Sequence, residues 1–149
     1  MMQFFSDKLG VEFPWNKYSQ IVVRDYVSGA MENTTAVVHG EQAYQTTGQL
    51  IDENKHENTI AHELFHHWFG DLVTSESWSN LTLNESFANY GEYLWQDYKY
   101  GKEAAEIHMH EDVQLYLDGQ EAAKKLVRFE YLDKEDMFDS VSYNNGGAI

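Results

Sequence analysis

The spacing of apolar residues changes once along the chain. Between residues 18 and 40 they crowd into two short runs, "YSQIVVRDYV" (18–27) and "TTAVVHG" (34–40). Runs rich in Val, Ile, Thr and Tyr between turn-forming residues predict strands. "SGAMEN" (28–33) separates them, and Gly29 is expected to mark a bulge or a close backbone approach. Pro14, the only proline, predicts a turn ahead of the first strand. From about Asn58 to Phe69 the period lengthens. Ile60, Ala61, Leu64, Phe65 and Trp68 recur at three- and four-residue steps, which predicts a helix. Asn58 or Thr59 is placed to cap it, and Gly70 to end it. A second helix is predicted over 82–101, stopped at Gly101, and a third over 102–125, broken near Gly119. The polar stretch 41–58 is expected to be loop, and 71–81 a connection. Strands first and helices afterwards predict an α+β fold.

The first helix carries the chemistry. "HELFHH" (62–67) holds three histidines and a glutamate in six positions. At about 100° per residue, His62 and His66 sit one above the other and can reach one ion. His62 and His67 diverge by roughly 140° on the same geometry, so His67 reads as a flanking or supporting group. Glu63 lies to the side of the shared face, where its carboxylate can take the proton of a water. This is the H-E-x-x-H arrangement of zinc hydrolases. Without a partner it also describes a helix that happens to carry histidines.

Composition narrows the ligand set. The chain has no cysteine, so thiolate metal sites and disulfides are excluded and a metal must be held by His, Asp or Glu. A hydrolytic zinc needs a third protein ligand. "LNESFANY" offers Glu85, 19 positions after His66, in the first turn of the second helix. A carboxylate there gains from the positive end of the helix dipole; alone it is an ordinary helix-start acid.

At 149 residues, 42% hydrophobic and 15% aromatic, the chain suits one globular domain with a modest core. The net charge of −15 sets nucleic acid aside as a partner. That acidity serves solubility, and its field also favours a cationic substrate such as a protonated amino end. No apolar run approaches a membrane span, and the first residues lack the apolar core of a secretory signal. No compartment can be assigned.

Four segments in order carry a family likeness: "GAMEN" (29–33), "HELFHHWFGDLVT" (62–74), "LNESFA" (83–88) and "SYNNGGAI" (142–149). Together they resemble the M1 family of zinc aminopeptidases, from about residue 4 to the end. The resemblance implies a thermolysin-like α+β catalytic domain, of which residues 1–149 form a single partial copy without the family's flanking domains. It implies one zinc per chain, held by His62, His66 and Glu85, with Glu63 as general base. It implies that Tyr143 stabilises the oxyanion, that Glu32 pairs with the free α-amine, and that the backbone of Gly29 and Ala30 lines the bound peptide. Outside this family Glu32 would read as a strand-end surface acid. The implied partners are peptides with a free N-terminus.

Three positions depart from the family's pattern: Asn145 where lysine is more usual, Thr82 for a common tryptophan, and His67 for a frequent glutamine. None is a ligand or Glu63. The end at Ile149, close after Tyr143, fits a piece of a longer protein. Such a piece is expected to bind zinc but hydrolyse poorly. A non-catalytic zinc-binding remnant and a bifunctional epoxide hydrolase relative are the alternatives. A thermolysin-type endopeptidase is disfavoured, because "GAMEN" serves an amino end.

Overall fold

The chain opens with a helix that its periodicity does not announce. The computed structural model describes residues 1–119 and 124–149. Helix α1 (Met2–Leu9) has no side-chain cap at its start and ends at Gly10, which takes a left-handed φ of 67°. Of its two buried residues, Phe5 and Ser6, Phe5 enters the core.

Three strands come next: β1 (Ser19–Val23), β2 (Ala30–Met31) and β3 (Ala36–Gly40). The sheet order is β1-β3-β2, with β3 parallel to β1 and antiparallel to β2. The first predicted strand is thus cut short at Val23, where the chain bends and Asp25 adopts a φ of 51°. The segment expected only to interrupt the sheet supplies β2 instead. Gly29 is open on its side-chain side, since a Cβ there would meet nothing within 4 Å, while its carbonyl comes within 2.9 Å of the Gly40 N–H at the end of β3. The stretch expected to be loop contains α2 (Thr47–Asp52). Thr46 and Gln49 form a reciprocal capping box at its start.

Helix α3 (Glu57–Phe65) starts after His56, so neither Asn58 nor Thr59 is its cap, and it ends earlier than predicted. His66, His67, Trp68 and Phe69 continue in tight turns. Asp71 N–H closes onto the His66 carbonyl at 2.9 Å, and Gly70 absorbs the reversal with a φ of 143°. Helices α4 (Thr82–Tyr100) and α5 (Lys102–Asp118) come after it, α5 ending at Gly119. The predicted continuation of that helix through 120–123 lies outside the described residues. The chain closes with a π-helical turn (Val141–Asn145) and a short α6 (Gly146–Ala148).

Helices α3 and α4 pack closely because Gly91 sets its bare backbone against the Phe65 ring. A Cβ there would fall 2.6 Å from Phe65 Cγ. Phe5, Ala61, Leu64, Phe65, Trp68, Leu94 and Trp95 form one buried cluster between α1, α3 and α4. The Phe5 ring meets Phe65 edge-on at 5.0 Å. Trp68 Nε1 donates to the Val11 carbonyl at 3.1 Å, tying the segment after α1 to the end of α3. This is the α+β fold read from the sequence, with helices predominating.

Candidate active site

Helices α3 and α4 run antiparallel, and rungs of polar contact cross between them. Asn58, His62 and His66 recur every fourth residue on one side. Glu85, Glu92 and Gln96 share the facing stripe of α4. Gln96 hydrogen-bonds Asn58. His62 Nδ1 lies 2.8 Å from Glu92 Oε1. At the far end Glu85 Oε2 sits 3.2 Å from His62 Nε2 and 3.4 Å from His66 Nε2. The Nδ1 of His66 donates to the Phe69 carbonyl at 3.0 Å. Both imidazoles are therefore tied through Nδ1, and both Nε2 atoms turn toward one carboxylate oxygen. All three residues are buried.

Among the described residues, two groups of side chains bring potential metal-ligating atoms together, each within 4.8 Å: His62, His66 and Glu85, and Glu32, Glu63 and His66. His66 joins the two. Glu63 is 6% exposed, and its Oε2 has no hydrogen-bond partner. Burial pushes its carboxyl up to about 7, with Glu32 and Glu85 adding to the effect and His62 and His66 opposing it. Burial likewise opposes charge on His62, but Glu85 and Glu92 overcome this and hold its pKa well above the ordinary histidine value. Glu85 behaves conversely: burial would raise it, yet the two histidines hold it at about 2. These side chains form a compact ion-paired knot.

Tyr143 stands over this knot, its ring stacked 6.0 Å from that of His62. Burial, then the charge and hydrogen bond of Glu85, raise its phenol far above the ordinary value, so it stays a proton donor. The π turn that carries it is anchored on all sides. Ser86 Oγ donates to the Ser142 carbonyl at 2.6 Å. Asp112 accepts from Asn144 at 2.9 Å and from Asn89 at 3.1 Å. Gly146 lets the turn lie against α4, since a Cβ there would fall 1.8 Å from Ser86 Oγ. Asn145, the departure beside Tyr143, donates its backbone N–H to the Ser140 carbonyl at 2.9 Å and so closes the π turn.

The chain thus brings Glu32, His62, Glu63, His66, Glu85 and Tyr143 together. Gly29 and Ala30 lie on the β2 side. Gly29 is exposed, and its carbonyl is already taken by Gly40 N–H at 2.9 Å. His67 diverges from the ligand face as the helix geometry requires. It is fully buried and turned away from the His62–His66 face. Sequence reading missed Glu92, His108 and Asp112. His108 Nε2 lies 3.3 Å from Glu92 Oε2, so α5 backs the carboxylate that orients His62. Glu92 is held at about 2, its burial outweighed by His108 and His62. The spacing of 85, 89 and 92 on α4 and of 108 and 112 on α5 was the available signal.

Comparison with known proteins bears on the family and the fold. The model of the "Peptidase family M1 domain" matches residues 1–149. Canis lupus familiaris aminopeptidase N is 46% identical over 101 residues, covering 66% of this chain and 10% of that protein. Candida albicans aminopeptidase 2 is 33% identical over 165 aligned positions, covering 99% of this chain and 17% of that protein. Yeast LTA4 hydrolase in complex with bestatin superposes with a TM-score of 0.84 at 26% identity, over 98% of this chain and 24% of that one. An M1 zinc metallopeptidase from Deinococcus radiodurans shares the fold, with a TM-score of 0.71 at 23% identity over 97% of this chain and 29% of that one. The chain spans a small part of each relative's length, yet the family model runs from its first residue to its last: it belongs to the M1 peptidase family.

Proposed function

We propose that this chain is part of a thermolysin-like catalytic domain of a zinc aminopeptidase, which removes N-terminal residues from peptides. The observation that carries this reading is the convergence of His62 Nε2, His66 Nε2 and a Glu85 oxygen beside the unpartnered Glu63 Oε2. The donor set fits zinc: two imidazole nitrogens and one carboxylate oxygen, with both rings already oriented through Nδ1. When bound, zinc supplies Lewis acidity toward a carbonyl and makes water acidic.

The chain's own residues divide the remaining work. Glu63, near 7, is poised to take a proton from the attacking water and return it to the leaving amine. Tyr143 keeps its proton and donates a hydrogen bond where negative charge develops on the carbonyl oxygen. Glu32 meets the substrate's ammonium. An internal peptide nitrogen carries no such charge, which restricts cleavage to the first residue. The backbone of Gly29 and Ala30 lies along the same approach.

The test is metal analysis of the purified chain, with hydrolysis of an amino-acid p-nitroanilide and of its N-acetylated form. About one zinc per chain is expected, with any turnover confined to the free amine. Glu63→Gln should retain zinc and abolish turnover. Zinc retention in Glu85→Ala, or equal cleavage of both substrates, would refute the assignment.

A further inference from the structure

We propose that His67 is a positioning residue: with Thr35 it forms a neutral clamp that holds the Glu32 arm against the helix turn carrying Glu63. This rests on the aminopeptidase reading of the site and extends it to a residue outside the ligand set.

His67 is 0% exposed, and both its ring nitrogens are committed to backbone. Nδ1 lies 3.2 Å from the Glu63 carbonyl, and Nε2 accepts the Thr35 N–H at 3.0 Å. A carbonyl can only accept and an amide can only donate. The ring is therefore the neutral tautomer with its proton on Nδ1. Phe13 stacks on it at 5.5 Å, Tyr18 meets it edge-on at 5.1 Å, and Trp15 Nε1 donates to its carbonyl at 3.1 Å. The ring has no room to turn.

The other jaw of the clamp is strained. Thr35 has a φ of 66°, a left-handed conformation that a β-branched residue rarely takes. It sits in the tight turn closed by Ala36 N–H on the Asn33 carbonyl at 2.8 Å, directly after Glu32. Such a turn persists only when its surroundings hold it.

There is a reason to hold it. Carboxylate oxygens of Glu32 and Glu63 lie within 4.8 Å of each other, and whenever both are ionised they repel. The repulsion pushes the short β2 arm outward. A hydrogen-bonded tie resists this, and a neutral tie does so without competing with the substrate's ammonium for the two acids. Glutamine, with an NH2 donor group and a carbonyl acceptor, has the chemistry to make both bonds; an aliphatic side chain makes neither.

The experiment compares the zinc-loaded chain with His67→Gln and His67→Leu. It reads deuterium exchange at the Thr35 amide, the ring nitrogen shifts of His67 in the unsubstituted chain, zinc content, and kcat and KM on a free-amine anilide. The clamp requires a protected Thr35 amide and a protonated Nδ1 with a bare Nε2. In His67→Leu protection should vanish and KM rise about tenfold, the loss of roughly one net hydrogen bond. Zinc content and kcat should change little, and His67→Gln should recover both protection and KM. Should His67→Leu not fold, Thr35 exchange and the ring shifts of the unsubstituted chain decide the matter. A freely exchanging Thr35 amide, an Nε2-protonated ring, a kcat loss at constant KM, or a failed rescue by glutamine would each overturn the clamp. Absent zinc binding in every form, with Thr35 protection lost only in His67→Leu, would overturn the aminopeptidase reading and leave the clamp standing.

Discussion

Glu92 should be worth about as much to metal binding as a direct neighbour of the ion, although it ligates nothing. Its Oε1 lies 2.8 Å from His62 Nδ1, and its Oε2 3.3 Å from His108 Nε2. A bond to a charged acceptor is about twice as strong as a neutral one. Glu92→Gln keeps an acceptor for the His62 N–H but loses the charge, at a cost of about 1–1.5 kcal/mol, or roughly tenfold in zinc affinity. Glu92→Leu also leaves that buried N–H unpaired, which adds about 1–2 kcal/mol and brings the loss to roughly a hundredfold. The assay is competition for zinc against a chromophoric chelator at fixed pH, with circular dichroism confirming that each variant folds. A graded loss, Gln then Leu, is expected. Wild-type affinity in both variants, or equal losses in the two, would refute the idea that this carboxylate tunes His62.

Three further expectations concern packing and pH. Gly91→Ala places a Cβ 2.6 Å from Phe65 Cγ and should destabilise the chain by about 1–3 kcal/mol despite alanine's better helix propensity; an unchanged urea midpoint would contradict the close α3–α4 approach. Gly146→Ala collides with Ser86 Oγ, which should displace Tyr143 and lower kcat about tenfold or more while zinc content stays constant; parallel loss of zinc would show that the two parts of the site are not separable. The metal-free chain should melt at lower temperature as pH rises from 6.5 to 9. His62, His66 and His108 have raised pKa values, so their stabilisation is complete below about 6.5 and is lost as pH climbs through the folded values. Glu85 and Glu92, held at about 2, are ionised throughout that range and add no slope. The Met1 amino group, lowered by burial, works in the opposite direction. His39 and His67, lowered likewise, do so near the lower end of the range, where Glu63, raised to about 7, adds to the fall; above about pH 7.5 the three raised histidines decide the slope. A melting temperature that rises over this range in the chelator-treated chain would contradict the ion-paired knot.

The sequence discloses whatever is encoded at short, fixed spacing. His62 and His66 are one helical turn apart, and Glu85 opens the next long helix, so both appear as local patterns. Glu92 and His108 do not. Each is one polar residue on a helix, and its role exists only because α4 and α5 pack in one particular register. The end of α3 is misplaced because Trp68 and Phe69 prolong the helical spacing of apolar residues while the backbone is already turning back toward Gly70. Helix α2 could have been found from Thr46 and Gln49, whose spacing is that of a capping box. Strand β2 is only two residues long, too short for any period to register. His67 points away from the ligand face, as the helix geometry predicts, but nothing local indicates that its partner is Thr35, 32 residues earlier.

The π turn beneath Tyr143 has a consequence for how this segment can change over time. Its bonds close five residues apart, Asn145 onto Ser140 and Gly146 onto Val141, so the turn houses one residue more than an α-turn would. Removing a single residue between Val141 and Asn145 would let the backbone relax into ordinary helix, leaving the chain beyond it in phase but turning the side chains inside the turn by up to about 100°. The phenol would leave the cluster although every other side chain was kept. Exchanges of side chain here are graded in effect, whereas a change of length is all or nothing. Lineages should therefore vary in residue identity around Tyr143 far more freely than in the count of residues between Asp139 and Gly147.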